Sequence, residues 1–209
     1  MRTLSLRAGP AALAVLLLIP TLAAQDRSGP TPKVAPSGRV TTSVTFDGRV
    51  LPDGGWFTYT PSHSGPSRIT IDYGQPHART REIFGGLVPY DEVWRLGANW
   101  ATRLTLDFDV RFGELDVPRG EYTLFMLPRE HGGELIVSRQ TRQWGTDYDP
   151  SFDFGRTSIG RRTLEGNVRS LTVTLEPDLP TEEGAVPSGM LRITWGQAEY
   201  FTAWRMRWP

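Results

Sequence analysis

Three carboxylates in the middle of the chain could take part in hydrolysis. Glu82, Asp91 and Glu92 stand among aromatic residues, and His77 shortly precedes them. A pair of carboxylates at a suitable separation hydrolyses glycosidic bonds, and a histidine can serve as a general base. Neighbouring arginines offer these acids another role, as ion-pair partners. A carboxylate-dependent hydrolase is therefore one hypothesis that the sequence leaves open.

The same stretch, residues 82–103, combines aromatic rings, glycines and polar side chains densely enough to form a binding loop. Arginine and asparagine donate hydrogen bonds to ligands, and aromatic rings offer flat surfaces for stacking. Trp94 and Trp100 are separated by Gly97, so both could lie on one side of an irregular loop. The predicted ligand-binding residues are Arg81, Tyr90, Trp94, Arg95, Asn99 and Trp144.

A third interpretation gives this stretch a purely structural role. Large aromatic residues mostly fill the core in β-proteins. Residues 82–103 would then form a buried polar plug, in which the arginines and the asparagine satisfy backbone carbonyls. Burial of Arg95 and Asn99 would favour the plug, and exposure would favour a binding loop.

Other common catalytic and metal sites find little support. The chain has no cysteine, and Ser158 lacks the glycine spacing of a nucleophile elbow. The three histidines are too far apart in sequence to form a two-histidine metal motif. No cofactor and no metal site are predicted. The only calcium candidates, which are weak because Phe152 replaces the glycine of such loops, are Asp147, Asp149 and Asp153.

Apolar and polar residues alternate with a period of two through most of the chain after residue 38, which predicts half-buried strands. Residues 122–127 are apolar on both faces, so we expect a central strand there. A turn is predicted at Gly196-Gln197, and a short helix at residues 91–96 is compatible with the sequence. The predicted strands are residues 40–46, 69–73, 103–112, 122–127, 134–138, 168–176, 191–195 and 199–206.

These strands predict an all-β fold. Glycine and proline supply 22 and 17 of the 209 residues, and no segment shows a sustained helical period. Short strands separated by turns are typical of antiparallel β-sandwiches and jelly rolls. We therefore predict a single domain of this class over residues 38–209, preceded by a flexible proline-rich segment at residues 25–37.

The first 24 residues read as a signal peptide, with two arginines, an apolar run at residues 11–19 and a small-residue end. That run is too short for a membrane span, which needs about 20 residues. Without Arg2 and Arg7, 21 basic and 23 acidic side chains remain, a formal charge of −2 that gives no reason to expect nucleic acid as a partner. The sequence predicts an exported protein, periplasmic or secreted.

Three segments resemble one bacterial family: REIFGGLVPYDEVWRLGANWATRLTLDFDV, RGEYTLFMLP and QWGTDYDPSFD. They are similar to the exported family called domain of unknown function 2911. Thr80 and Asp91 stand where that family usually has glycine, and Gly74-Gln75 replaces its usual serine-arginine. If that arginine is functional in the family, Arg79 would have to substitute for it or the role is lost. The resemblance implies an all-β exported domain and supplies no activity.

The favoured function is a non-catalytic binding module for a small molecule, a glycan or a partner protein. The hydrolase and the purely structural domain remain its alternatives.

Overall fold

Eleven β-strands carry most of the regular structure in the computed structural model, which describes residues 35–58, 65–178, 182 and 184–207. These residues belong to one compact unit that begins at Val34. The predicted signal peptide and most of the proline-rich segment lie outside the described residues. The strands are β1 (Arg39–Thr45), β2 (Gly48–Val50), β3 (Trp56–Thr58), β4 (Arg68–Gly74), β5 (Thr102–Leu106), β6 (Val110–Phe112), β7 (Leu115–Val117), β8 (Gly120–Arg129), β9 (Gly132–Ser138), β10 (Asp153–Pro177) and β11 (Ser188–Met206).

Nine of the strands form one antiparallel sheet in the order β1-β4-β5-β8-β9-β10-β11-β6-β7, and β2 and β3 form a separate pair. Strand β10 joins the two parts of the large sheet, since its first residues pair with β9 and its later residues pair with β11. The fold is therefore all-β and sandwich-like, as predicted. None of the described residues forms a helix of the length and hydrophobicity that a membrane span requires.

The alternation seen in the sequence places one face of most strands in a single apolar core. On β4, Ile69, Ile71 and Tyr73 are buried, and Ile71 pairs with Leu104 of β5. Strand β8 lies between β5 and β9, and its residues 122–126 are buried on both faces. The central position predicted for residues 122–127 is confirmed.

The strand predicted at residues 103–112 is in fact two strands. Its five inward side chains are all buried, but residues 107–109 leave the ladder. The carboxylates of Asp107 and Asp109 instead accept hydrogen bonds from the backbone N–H groups of Arg68 and Arg119, both at 2.8 Å. Strand β5 therefore stays beside β4, while β6 pairs with β11.

The turn predicted at Gly196-Gln197 is also wrong. Strand β11 continues through Gly196, whose φ of 62° accompanies a shift in the pairing register with β10. A glycine within a strand often marks such an irregularity, because the backbone bends there without reversing. The helix considered for residues 91–96 does not form: this segment consists of turns and an isolated bridge at Trp94.

Candidate functional site

The 82–103 motif belongs to a long excursion between two neighbouring strands. Strand β4 ends at Gly74 and β5 begins at Thr102, and the two strands pair directly. The connecting residues rest against β8, because Trp94 exchanges backbone hydrogen bonds of 2.7 and 2.9 Å with Met126. The motif thus takes up the pairing position beside β8 just beyond the first residue of β5. It connects the strands predicted at residues 69–73 and 103–112.

Left-handed backbone is concentrated in and around this motif. Asp91, Leu96 and Asn99 have φ values of 61°, 49° and 63°, and Arg142 has a φ of 64°. Side chains other than glycine rarely adopt this region, and asparagine and aspartate tolerate it best. Asp91 stands where the resembling family usually has glycine, and its positive φ gives the physical reason for a glycine there.

An aromatic cluster holds the motif to the core. The Trp94 ring stacks on Trp195 at 5.9 Å, with 19° between the ring planes, and contacts the Phe84 ring edge-on at 5.9 Å. Phe84 packs in turn on Tyr200 at 4.9 Å. Trp94 is half-buried, whereas the other three rings are buried. Trp94 therefore serves as part of the core and as part of the surface above it.

A cavity of about 430 Å³ opens above this cluster, and we call it the motif cavity. It brings together four of the six predicted binding residues, Arg81, Trp94, Arg95 and Asn99. The side chains that complete its polar and aromatic lining are Ser37, Phe125, Thr146, Tyr148 and Trp195. The sequence did not indicate a binding role for these three aromatic residues. Tyr148 lies among the weak calcium candidates, and Phe125 and Trp195 lie in strands that were predicted to form the core.

The motif cavity contains two arginines and no carboxylate in its lining. Arg81 donates to the backbone oxygens of His77 and Ala78 at 2.8 and 3.3 Å, and Arg95 donates through Nε to the Gly97 oxygen at 3.2 Å. Neither guanidinium has an acidic side chain within ion-pairing distance among the described residues. The positive charge of the cavity is therefore not neutralised within this part of the chain.

Gly145 allows the segment that carries Tyr148 to approach the motif closely at Arg95 and Asn99. Its N–H donates to the Asn99 oxygen at 2.9 Å. A Cβ atom at Gly145 would lie 2.6 Å from Arg95 Cδ and 2.7 Å from that oxygen. The close approach fixes Arg95 and Asn99 relative to the segment that carries Tyr148.

Tyr148 reaches the motif cavity from an ion-pair network. Its hydroxyl donates to Asp153 at 2.8 Å and accepts from Arg156 at 2.8 Å. Burial raises the pKa of Tyr148 to about 12, assisted by the hydrogen bond to Asp153 and by the charge of that carboxylate, while Arg156 acts in the opposite direction. The phenol therefore stays protonated at neutral pH and can hold this hydrogen bond.

The other two predicted binding residues lie elsewhere. Tyr90 lines a smaller cavity of about 240 Å³, together with Arg81 and Arg161. Trp144 contacts the Trp100 ring edge-on at 5.7 Å, and both rings are exposed. The expectation that Trp94 and Trp100 could share one side of the loop is wrong, since Trp94 stacks in the core cluster and Trp100 faces solvent.

Comparison with known proteins gives a family. A family model described as protein of unknown function (DUF2911) matches residues 57–202, well over half of the chain. The chain belongs to DUF2911. The match extends beyond the residues that carried the resemblance, from β3 to β11 of the domain. No curated protein and no solved structure matches this DUF2911 chain.

The DUF2911 domain does not bring the hydrolase candidates together. Asp91 is exposed and pairs with Arg129 at 3.5 Å, and Glu82 lines the smaller cavity with Tyr90. His77 Nδ1 lies 2.7 Å from Ser170 Oγ. Glu92, the third acid of the motif, is exposed. The convergence of two acids, or of an acid and a histidine, that the hydrolase hypothesis requires is absent from this set of residues.

The buried polar plug is likewise not what the structure shows. The polar groups do donate to backbone carbonyls, as that hypothesis requires: Asn99 donates to the Ser37 oxygen at 3.3 Å. However, Asn99 and Arg81 are exposed, and Arg95 is only half-buried. The buried members of the motif are its apolar residues, among them Ile83, Val88, Leu96 and Ala98.

Two of the three calcium candidates have separate structural roles in the DUF2911 domain, and the third, Asp147, is exposed. Asp149 caps a single 3-10 turn at residues 150–152 and accepts from the Ser151 N–H at 2.9 Å. The carboxylate of Asp153 accepts hydrogen bonds from Tyr148 and Arg156. Across the residues that the structure describes, no group of three or more acids, histidines or cysteines is placed to hold a metal ion.

Proposed function

We propose that this DUF2911 domain is a non-catalytic binding module whose motif cavity takes a small anionic ligand with an apolar or aromatic part. One observation carries the proposal: Arg81 and Arg95 line a cavity that contains no carboxylate. A cationic site without its own counter-charge favours a carboxylate or phosphate, which guanidinium groups bind through paired hydrogen bonds.

The size and floor of the cavity fit the rest of such a ligand. A volume of about 430 Å³ lies within the range of small-molecule sites. The half-buried Trp94 supplies flat apolar surface, while Asn99 and Tyr148 supply polar groups at fixed positions. The carboxylates and the histidine that acid–base catalysis would use lie outside this lining, which supports binding rather than hydrolysis.

A thermal-shift comparison of phenyl phosphate with benzyl alcohol tests the proposal, because the two share a ring and differ in charge. We expect phenyl phosphate at about 100 times its dissociation constant to stabilise the domain by about 2.7 kcal/mol, and benzyl alcohol to have little effect. For a domain of this size, that corresponds to a rise of about 5 °C or more in Tm.

A double substitution, Arg81→Gln with Arg95→Gln, should abolish the shift. The matched control removes the same charge outside the cavity, through Arg103→Gln with Arg142→Gln. Equal loss in both double variants would indicate general electrostatic attraction. That outcome, or no shift with the unsubstituted protein at millimolar phenyl phosphate, would contradict the proposal.

The domain is further proposed to act outside the inner membrane, in the periplasm or as a secreted protein. The support is the signal peptide read from residues 1–24. Expression of the full chain in a bacterial host, followed by fractionation and N-terminal sequencing, should give a processed protein that begins near Gln25. An unprocessed protein in the cytoplasmic fraction would overturn this assignment.

A further inference from the structure

A second and larger cavity, of about 640 Å³, lies over the outward residues of β4, β5 and β8, and we call it the sheet cavity. Trp100 and Gln143 line the sheet cavity, whereas their neighbours Asn99 and Gly145 line the motif cavity. The segments 99–101 and 143–145 therefore contribute to both. At the middle of these segments stands the Trp100–Trp144 pair.

This tryptophan pair is unusually exposed for its size. Trp100 is 55% exposed and Trp144 is 42% exposed, and the planes of their rings are inclined at 68°. Large aromatic residues are normally withdrawn from water because each buries a large apolar area. Trp100 lines the sheet cavity, and Trp144 contacts its ring from outside the lining. Leaving two such rings exposed and in contact beside a cavity favours a role in binding.

The pair also stands on a rigid support. Trp100 and Trp144 form an isolated β-bridge, flanked by backbone hydrogen bonds from Ala101 to Gln143 at 3.3 Å and from Gly145 to Asn99 at 2.9 Å. In addition, the Arg39 guanidinium donates to the Trp100 backbone oxygen at 3.1 Å. Because the backbone of both residues is fixed, a ligand that stacks on the rings has little ordering entropy to offset.

The sheet cavity is lined by charges of both signs, unlike the motif cavity. Asp72 pairs with Arg39 and lies 3.8 Å from Arg103. Glu121 and Arg142 also line the cavity, and they place an acceptor and a donor there. Such a lining offers donors and acceptors side by side and suits groups that both donate and accept hydrogen bonds, as hydroxyls do.

We infer that the Trp100–Trp144 pair and the sheet cavity form a binding site for a neutral oligosaccharide, separate from the motif cavity. A pyranose ring presents an apolar face of C–H groups and a rim of hydroxyls. Each indole can stack on the apolar face of a different sugar unit, since the two ring planes are inclined at 68°. The charged and amide side chains of the cavity match the rim. The inference is independent of the anionic ligand proposed for the motif cavity.

Calorimetric titration with neutral hexasaccharides tests this site, using cellohexaose, laminarihexaose, maltohexaose and chitohexaose. We expect at least one of them to bind at millimolar concentration or below. Trp100→Ala and Trp144→Ala should each weaken that binding at least about tenfold. Trp144→Phe, which keeps a ring, should retain most of the affinity.

The matched control is Phe152→Ala, which removes another ring that is 47% exposed but lies outside both cavities. It should leave the titration unchanged, as should Arg95→Gln. Thermal unfolding verifies that each variant is folded. Absence of binding to all four sugars, or binding that survives both tryptophan substitutions, would overturn the inference. A sedimentation shift from dimer to monomer on Trp144→Ala, without sugar binding, would show that the pair joins two copies of the chain and would also overturn it.

Discussion

The motif cavity and the sheet cavity share the segments 99–101 and 143–145, yet only the sheet cavity has carboxylates beside its arginines. In the sheet cavity, Arg39 and Arg103 stand beside Asp72. In the motif cavity, Arg81 and Arg95 donate to backbone carbonyls only. A carbonyl supplies a partial charge, so the guanidinium keeps most of its attraction for an anion. The presence of carboxylates, rather than the number of arginines, distinguishes the two cavities.

The tryptophans divide in the same way. Trp94 stacks on the buried Trp195 and forms the floor of the motif cavity, whereas Trp100 and Trp144 stand in solvent beside the sheet cavity. One ring therefore contributes to folding and to the site together, and the other two are free of the core. Substitutions can separate these roles.

The largest expected effect is on stability. Trp94→Ala removes the stack on Trp195 and the edge contact with Phe84, so it should lower the free energy of unfolding by about 3 kcal/mol, at the low end for a large core ring because Trp94 is half-buried. Trp100→Ala should change it by about 0.5 kcal/mol or less, as surface substitutions do. Urea unfolding measures both. Equal losses would show that the two rings do not differ in burial as described.

The next effect concerns the left-handed backbone at Asp91 in the motif and at Arg142 in the lining of the sheet cavity. Asp91→Ala should cost about 1 kcal/mol, because alanine is strained at a positive φ, whereas Asp91→Gly should be close to neutral. Both variants lose the ion pair between Arg129 and the exposed Asp91. The difference between their free energies of unfolding therefore measures the backbone strain alone. Arg142→Ala and Arg142→Gly repeat the comparison beside the sheet cavity. If alanine and glycine prove equivalent at both positions, neither backbone is strained.

The smallest effect is the alkaline response of the motif cavity. The pKa of Tyr148 is raised to about 12, mainly by burial. Because the folded-state pKa lies above the ordinary value of about 10, this phenol contributes stability that is complete below pH 10 and lost as the pH rises toward 12. Tyr200, whose pKa burial also raises to about 12, acts in the same direction.

Tyr148→Phe should therefore make the fall in unfolding free energy between pH 9 and pH 11 shallower, whatever it does to stability at neutral pH. Urea titrations at the two pH values give this difference directly. An unchanged slope would mean that Tyr148 titrates normally and does not hold its proton for Asp153.

The strands whose faces differ in polarity could be predicted from the sequence. Residues 69–73 and 168–176 were located because burial of one face imposes the alternation. The first half of β10 could not be found in this way, because residues 160–167 are half-buried or exposed and bear no regular pattern. The turn at Gly196 was predicted wrongly for a related reason. A glycine with a positive φ occurs in a bulge as well as in a turn, and only the pairing of β10 with β11 decides between them.

The site was predictable in composition but not in arrangement. Residues 81–103 do supply most of the motif cavity. Sequence spacing could not show that Leu96 and Asn99 adopt left-handed backbone, which changes the direction of the chain between Trp94 and Trp100. Nor could it place Tyr148 in the lining, since that contact depends on the approach of Gly145 to Asn99.

The central claim is that two arginines in a lining without carboxylates make the motif cavity, and not the sheet cavity, the site for an anion. Two-dimensional NMR of the side-chain N–H groups during titration with phenyl phosphate tests it most directly. Saturable shifts are predicted for Arg95 Nε–H and the Trp94 indole N–H, with the indole signals of Trp100 and Trp144 unmoved. Shifts confined to Trp100 and Trp144, or unsaturable shifts at arginines of both cavities, would contradict the claim.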